Sequence, residues 1–213
     1  MGNEVVIRTY KMADDTGFAP NPFHGYLTLA TCKPGIRLKA KVGEWICGFD
    51  SKKLSDSPVG MEKLVYVMKV EDKLSFDEYF KDPRFQGKKP SAGKGRVYPV
   101  GDNIYYQGTK VERRSPYHNK PEEQQKDLKG QYVLISCNFW FFGRCSIEVP
   151  PEVKPSVPKG STYYGVKTTG AKVRAFIDWL IKNYPEPGIY GPPHCFQGNS
   201  WQKDKNFIVA LCG

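Results

Sequence analysis

Three histidines and six cysteines are the side chains here that exchange protons or attack carbon near neutral pH. His24 sits between Phe23 and Gly25, in a loop set by Pro20 and Pro22. Loops carry function disproportionately, and a ring nitrogen held there can be aimed at a phosphate or a base edge. His118 lies in the basic tract 113–120, and His194, between Pro193 and Cys195, reads as structural. Cys32 precedes Lys33. An ammonium beside a thiol favours the thiolate, the form that acts as a nucleophile. The opposing reading is an inert buried thiol, since free cysteine is among the most buried residue types. His24, His118 and Cys32 are thus the candidates for acid, base and nucleophile.

A second set of residues suits ligand binding. Phe23, Tyr105 and Trp140 offer flat faces for stacking on a base. Asn21, Asp102, Asn103, Ser136 and Asn138 offer donors and acceptors for a base edge, although Asp102 and Asn103 also fit ordinary Asx-turn chemistry. Lys33 and Arg37 follow closely and could meet phosphate. These residues predict a pocket between the 21–24 loop, the 101–106 segment and the strand end at 136–142. No C-x-x-C or other local ligand pair is present, so neither metal nor cofactor is expected. Walker A, G-x-G-x-x-G, H-E-x-x-H and G-x-S-x-G motifs and the deaminase signature are all absent, which argues against the familiar mechanisms built on them.

The elements that must position these groups are legible in part. The apolar run 132–136 has strand length and leads, through Asn138, into Phe139-Trp140-Phe141-Phe142-Gly143. Neighbours on an extended chain point to opposite faces, so two of these aromatics enter a core. The other two either face a groove or enter a second layer. Strands are further expected at 4–10, 26–31, 63–70 and 207–211, with a turn feeding a short strand over 40–48 and short strands around the 101–103 turn within 97–106. Tyr26 and Thr28 should share one face of theirs, with Leu27 and Leu29 on the other. Ser75 and Glu78 fit a capping box for a helix that ends before Pro83. Segment 88–96 reads as a mobile basic loop and 113–129 as solvated. A helix over 170–184 would present Val173, Phe176, Ile177, Leu180 and Ile181 as one stripe. Together these predict a single α+β domain over 1–213, with a mainly antiparallel, barrel-like sheet and a long amphipathic helix near the C-terminus.

Lys and Arg number 32 against 22 Asp and Glu, a net charge of +10, and 14% of residues are aromatic. Such a chain favours polyanionic partners: a nucleotide, a modified base or nucleic acid. No apolar run approaches membrane-spanning length, and the first residues lack a signal-peptide core. A cytoplasmic protein with six unpaired thiols is therefore expected.

Several words recur together along the chain: residues 18–23 (Phe-Ala-Pro-Asn-Pro-Phe), 28–34 (Thr-Leu-Ala-Thr-Cys-Lys-Pro), 43–46 (Gly-Glu-Trp-Ile), 82–85 (Asp-Pro-Arg-Phe), 101–105 (Gly-Asp-Asn-Ile-Tyr) and 138–143. In this combination the chain resembles the nucleotide modification associated domain family, second type, over most of its length. The resemblance implies handling of nucleotides or modified bases, in phages and bacteria, beside enzymes that modify nucleic acid. Val42 to Ile46 followed by the strand from Leu64 also resembles PUA- and EVE-like barrels, with Glu44 where those place Asp. The expectation is a nucleotide- or modified-base-binding protein linked to nucleic-acid modification or phage–host conflict. Capture of a nucleotide messenger of host defence, or turnover of a base or nucleotide, stands beside it.

Overall fold

A computed structural model describes residues 4–90, 100–107, 110–111 and 117–195. In chain order its elements are β1 (Ile7–Lys11), β2 (Leu27–Leu29), α1 (Pro34–Lys39), β3 (Trp45–Phe49), α2 (Lys52–Ser55), β4 (Leu64–Lys69), β5 (Asp72–Ser75) and α3 (Phe76–Lys81). There follow β6 (Tyr105–Tyr106), β7 (Lys110–Val111), α4 (Pro121–Leu128), β8 (Tyr132–Ser136), β9 (Phe139–Phe141), β10 (Val166–Thr168), α5 (Ala171–Asn183) and β11 (Gly188–Ile189). The expected strand at 207–211 and the residues Lys94, Arg96, Arg113, Arg114 and Cys212 lie outside the described residues.

Six strands form a mixed sheet in the order β10-β1-β3-β4-β9-β11. The β1–β3 and β9–β11 pairs are parallel, and the other described pairings are antiparallel. A second sheet, β2-β8-β5, stacks on the first, and β6 pairs with β7. The barrel expectation, PUA- or EVE-like, is corrected here. Strands β10 and β11 end the six-stranded sheet without pairing to each other, and the chain buries that sheet by stacking layers instead of closing it.

The aromatic run shows how the layers are filled. Phe139 and Phe141 point to one face, where they meet Leu27, Leu29 and Leu134 of the second sheet and Ile36 of α1. Trp140 and Phe142 point to the other, against Val173, Phe176 and Leu180 of α5. All four are buried, so none faces a groove. Burial of each such side chain stabilises the fold by about 1.5–3 kcal/mol before strain is counted. The outer face of the second sheet packs Val133 and Ile135 against Phe76 and Tyr79 of α3 and against Ile104 and Tyr105. Leu27 and Leu29 lie inward and Thr28 outward, as alternation requires.

The capping box forms: Ser75 N–H donates to Glu78 Oε2 at 2.8 Å, and Glu78 N–H donates to Ser75 Oγ at 3.3 Å. The helix expected over 170–184 is observed as the 13 residues of α5, after Gly170 at φ 73°. Ile181 is corrected out of its stripe. It lies about 80° around the helix from Val173 and is 47% exposed. Three helices were not expected: α1, which carries Arg37, the four-residue α2, and α4, which lies in the supposed solvated tract with a buried Asp127. Lys88, expected in a mobile basic loop, is fully buried.

The expectation of six free thiols fails at Cys145, which is disulfide-bonded; Cys32, Cys47, Cys137 and Cys195 are free. Among the described residues no helix is long and apolar enough to cross a membrane.

Candidate functional site

Strand β2 pairs with β8 antiparallel, Leu27 opposite Ser136 and Leu29 opposite Leu134. The chain leaving β2 therefore runs beside the chain entering β8. Cys32 lies on the first of these and α4 precedes the second, so Cys32 and Asp127 become neighbours although 95 residues separate them. Cys32 and Lys33 both adopt left-handed backbone, φ 56° and 38°, a conformation that needs local support in non-glycine residues.

The support is Arg37, fully buried on α1. Its Nε donates to the Cys32 carbonyl at 2.8 Å, its Nη1 to Tyr132 O at 2.7 Å and its Nη2 to Asp127 O at 2.5 Å. One guanidinium thus ties the Cys32 turn, the end of α4 and the start of β8. Gln124, one helical turn before Asp127, reaches back from its Nε2 to the His118 carbonyl at 3.2 Å.

These ties assemble a chain of three groups. Cys32 Sγ lies 3.5 Å from His118 Nε2, and His118 Nδ1 hydrogen-bonds to Asp127 Oδ2. The Asp127 carboxylate is buried and fully engaged. Its Oδ1 accepts from the Cys32 N–H at 2.6 Å, and its Oδ2 also accepts from Tyr105 OH at 2.8 Å. Burial would push the His118 imidazole down, but its bonds to Asp127 and Cys32 outweigh this and raise its pKa to about 10. That makes the ring an imidazolium at neutral pH, oriented by a carboxylate on one nitrogen and facing the Cys32 sulfur with the other. Burial, then the neighbouring Asp127, pushes the Tyr105 phenol up, so it remains a donor.

The trio opens into a cavity of about 870 Å³, within the usual range of small-ligand sites. Tyr10, Lys33, Tyr117, Lys126 and Tyr163 line it beside Cys32 and His118. Phe18 stacks on Tyr117 with ring centroids 4.8 Å apart and holds the His118 side of the wall. Lys33 lies 4.5 Å from the Tyr10 ring and donates to Lys11 O at 3.2 Å. Cys32, His118 and Asp127 bring ligand atoms within 4.8 Å of one another, a juxtaposition that linear spacing concealed.

The other residues expected at a site are placed elsewhere. Asn21 is buried: its Nδ2 donates to Val100 O at 2.9 Å, and its Oδ1 accepts from Lys88 Nζ at 2.8 Å. Phe23 packs in the outer core. Asp102 accepts from Thr28 Oγ1 at 2.6 Å and Tyr79 OH at 2.7 Å, and Asn103 Nδ2 donates to the Tyr79 and Phe85 carbonyls. Ser136 and Asn138 belong to a turn around the Glu71 carboxylate. Trp140 stacks on Trp45 and donates to Tyr184 O at 2.8 Å. His24 lies against Gly87 and does not line the cavity. His194 bonds to buried Asp15, in keeping with a structural role. Of the expected residues, Cys32, His118 and Lys33 meet at the cavity, while Tyr105 and Arg37 support it from behind. Asn21, Asp102, Asn103, Ser136 and Trp140, expected around a pocket between 21–24, 101–106 and 136–142, are buried and bonded to other groups of the protein.

Sequence reading missed Asp127 and Gln124. Their only signal is Pro121 followed by Glu122 and Glu123, a helix start inside a polar tract. The resemblance read from the sequence is borne out over nearly the whole chain. No curated protein and no solved structure is significantly similar to it. The family model of nucleotide modification associated domain 2 matches residues 5–200, and the chain belongs to that family.

Proposed function

We propose that the protein is a thiol-nucleophile enzyme acting on a nucleotide or modified nucleobase, with Cys32 as nucleophile, His118 as general acid and base, and Asp127 as the group that orients His118. The observation that carries this is the 3.5 Å approach of Sγ to Nε2, with Nδ1 bonded to a buried carboxylate. The family supplies the nucleotide theme. Binding of a nucleotide or base, expected from the basic and aromatic composition, is the first step of this reading.

The chemistry that suits these groups is acyl transfer at a carbonyl or amide carbon. The Cys32 thiolate adds to carbon, forming a C–S bond. The tetrahedral adduct collapses, the bond to the leaving group breaks, and His118 Nε2 protonates that group. Water or an amine, deprotonated by the now neutral His118, then attacks the thioester and releases Cys32.

A second reading, capture of a nucleotide without turnover, draws support from one feature. The Cys32 N–H is held by Asp127 Oδ1 and so cannot stabilise an oxyanion on the substrate.

Alkylation by iodoacetamide at pH 7, followed by peptide mass spectrometry, tests the nucleophile. Cys137 is an internal reference. It is more exposed, and the Glu71 contact raises its pKa. Cys32 should react at least about tenfold faster than Cys137, and His118→Ala should abolish the difference. Equal rates would overturn the nucleophile assignment. Incubation with nucleotides and modified nucleosides then separates turnover from capture, because capture leaves the ligand intact.

A further inference from the structure

Helix α1 starts beside the Cys32 cavity and ends at a second recess, an open depression of about 1060 Å³. We infer that this recess carries the phosphate backbone of a single-stranded nucleic acid whose target base enters the Cys32 cavity. The inference rests on the reading of Cys32 as a nucleophile toward a base.

Charge is the first observation. Lys39, Lys41, Lys69 and Lys167 line the recess, and none of their ammonium groups has a hydrogen-bond or ion-pair partner among the described residues. Two carboxylates also line it. Glu44 is taken up by Arg8, with Nε to Oε2 at 2.6 Å, which leaves Glu4 against four uncommitted lysines. A concave, positively charged surface raises the local concentration of polyanions.

The second observation is a pair of rings that joins the two cavities. Tyr163 lines the Cys32 cavity and Tyr164 lines the basic recess. Their centroids are 4.8 Å apart at 89°, and the residues are 45% and 50% exposed. Tyr163 seats on Gly35 of α1, where a Cβ would lie 2.4 Å from its ring. Adjacent exposed rings set between a nucleophile and a lysine-lined recess form a stacking platform for successive bases. The six residues of α1 place Lys39, its last residue, about 9 Å along the helix axis from the Cys32 turn, a short reach for a polynucleotide chain.

The depth of the nucleophile selects the single strand. Cys32 is half-buried in its cavity, and a base held in a duplex stack cannot reach it. A free nucleotide would fill the Cys32 cavity, where Lys33 and Lys126 are at hand, and would leave the second recess without a ligand.

The test is fluorescence anisotropy of a fluorescein-labelled, mixed-sequence 12-mer, as single strand and as duplex, with anionic phosphatidylserine vesicles as competitor. The single strand should bind, with log K falling against log salt by about 0.7 per phosphate neutralised. The variant K39E/K41E/K167E should bind at least about tenfold more weakly and with a shallower salt slope. Tyr164→Ala should weaken binding with the slope unchanged. None of these residues belongs to the Cys32 machinery, so alkylation of Cys32 should be unaltered in the variants. Absence of single-strand binding, equal binding of the duplex, indifference to charge reversal, or displacement by the vesicles would overturn the inference. Fast Cys32 alkylation without oligonucleotide binding removes this inference alone. Oligonucleotide binding with ordinary Cys32 reactivity supports the recess and overturns the thiol reading.

Discussion

Gly130 lies flat against the guanidinium of Arg37: a Cβ at Gly130 would stand 2.4 Å from Arg37 Cζ and 2.5 Å from Nη1. The guanidinium cannot yield, because its three donating nitrogens bond to the Cys32, Tyr132 and Asp127 carbonyls. A glycine in the turn before β8 thereby sets the position of the nucleophile on the far side of the site.

Gly130→Ala should displace Arg37 and loosen the Cys32 turn. The expected loss is about 1–3 kcal/mol, the range for overpacking a close-packed site. Urea unfolding measures this, and Cys32 alkylation should slow in the folded variant. A variant as stable and as reactive as wild type would show that the brace has no such role.

His118 makes the stability of the fold depend on pH. Its folded pKa of about 10 lies above the ordinary value of 6.5, so its contribution is complete below pH 6.5 and is lost as pH rises through 10. The stability difference between wild type and His118→Gln should therefore shrink across that interval. Denaturant midpoints at pH 6, 8 and 10 measure it. A difference that grows with pH would contradict the charged imidazole.

Lys88 should be essential for folding. Its ammonium is fully buried, donates to Asn21 O at 3.0 Å, Asn21 Oδ1 at 2.8 Å and Tyr26 O at 2.8 Å, and offsets the buried Asp102. Lys88→Met removes the charge and leaves these acceptors unpaired. The expected cost is about 3–5 kcal/mol, as for breaking a buried charge pair. Thermal unfolding provides the check, and a shift typical of a surface substitution would refute the role.

The two ends of the α5 stripe should behave differently. Phe176 is fully buried, and Phe176→Ala should cost about 3–5 kcal/mol. Ile181 is 47% exposed, and Ile181→Ala should stay within about 0.5 kcal/mol. Similar losses at both positions would mean that α5 packs through a wider face.

The sequence by itself determined the local structure whose cause is local. Alternation placed Leu27 and Leu29 on one face and Thr28 on the other, because strand neighbours point oppositely. The Ser75–Glu78 pair fixed the start of α3, because both partners lie within one turn. The ordered words along the chain also sufficed to find its family. Tertiary structure alone decided the rest. Cys32 and His118 were visible as candidates, but their partner Asp127 sits in a polar tract with nothing to mark it. Only the antiparallel register of β2 and β8 brings residues 86 to 95 apart into contact. Stacked sheets instead of a barrel decided that Asn21, Asp102 and Trp140 are interior. Side-chain chemistry suited each to a ligand, but burial was set by layers contributed from distant segments. Arg37 shows the difference most directly. In sequence it is one of several cations after β2, and only the position of Gly130, 93 residues on, makes it the clamp of the site instead of a phosphate ligand.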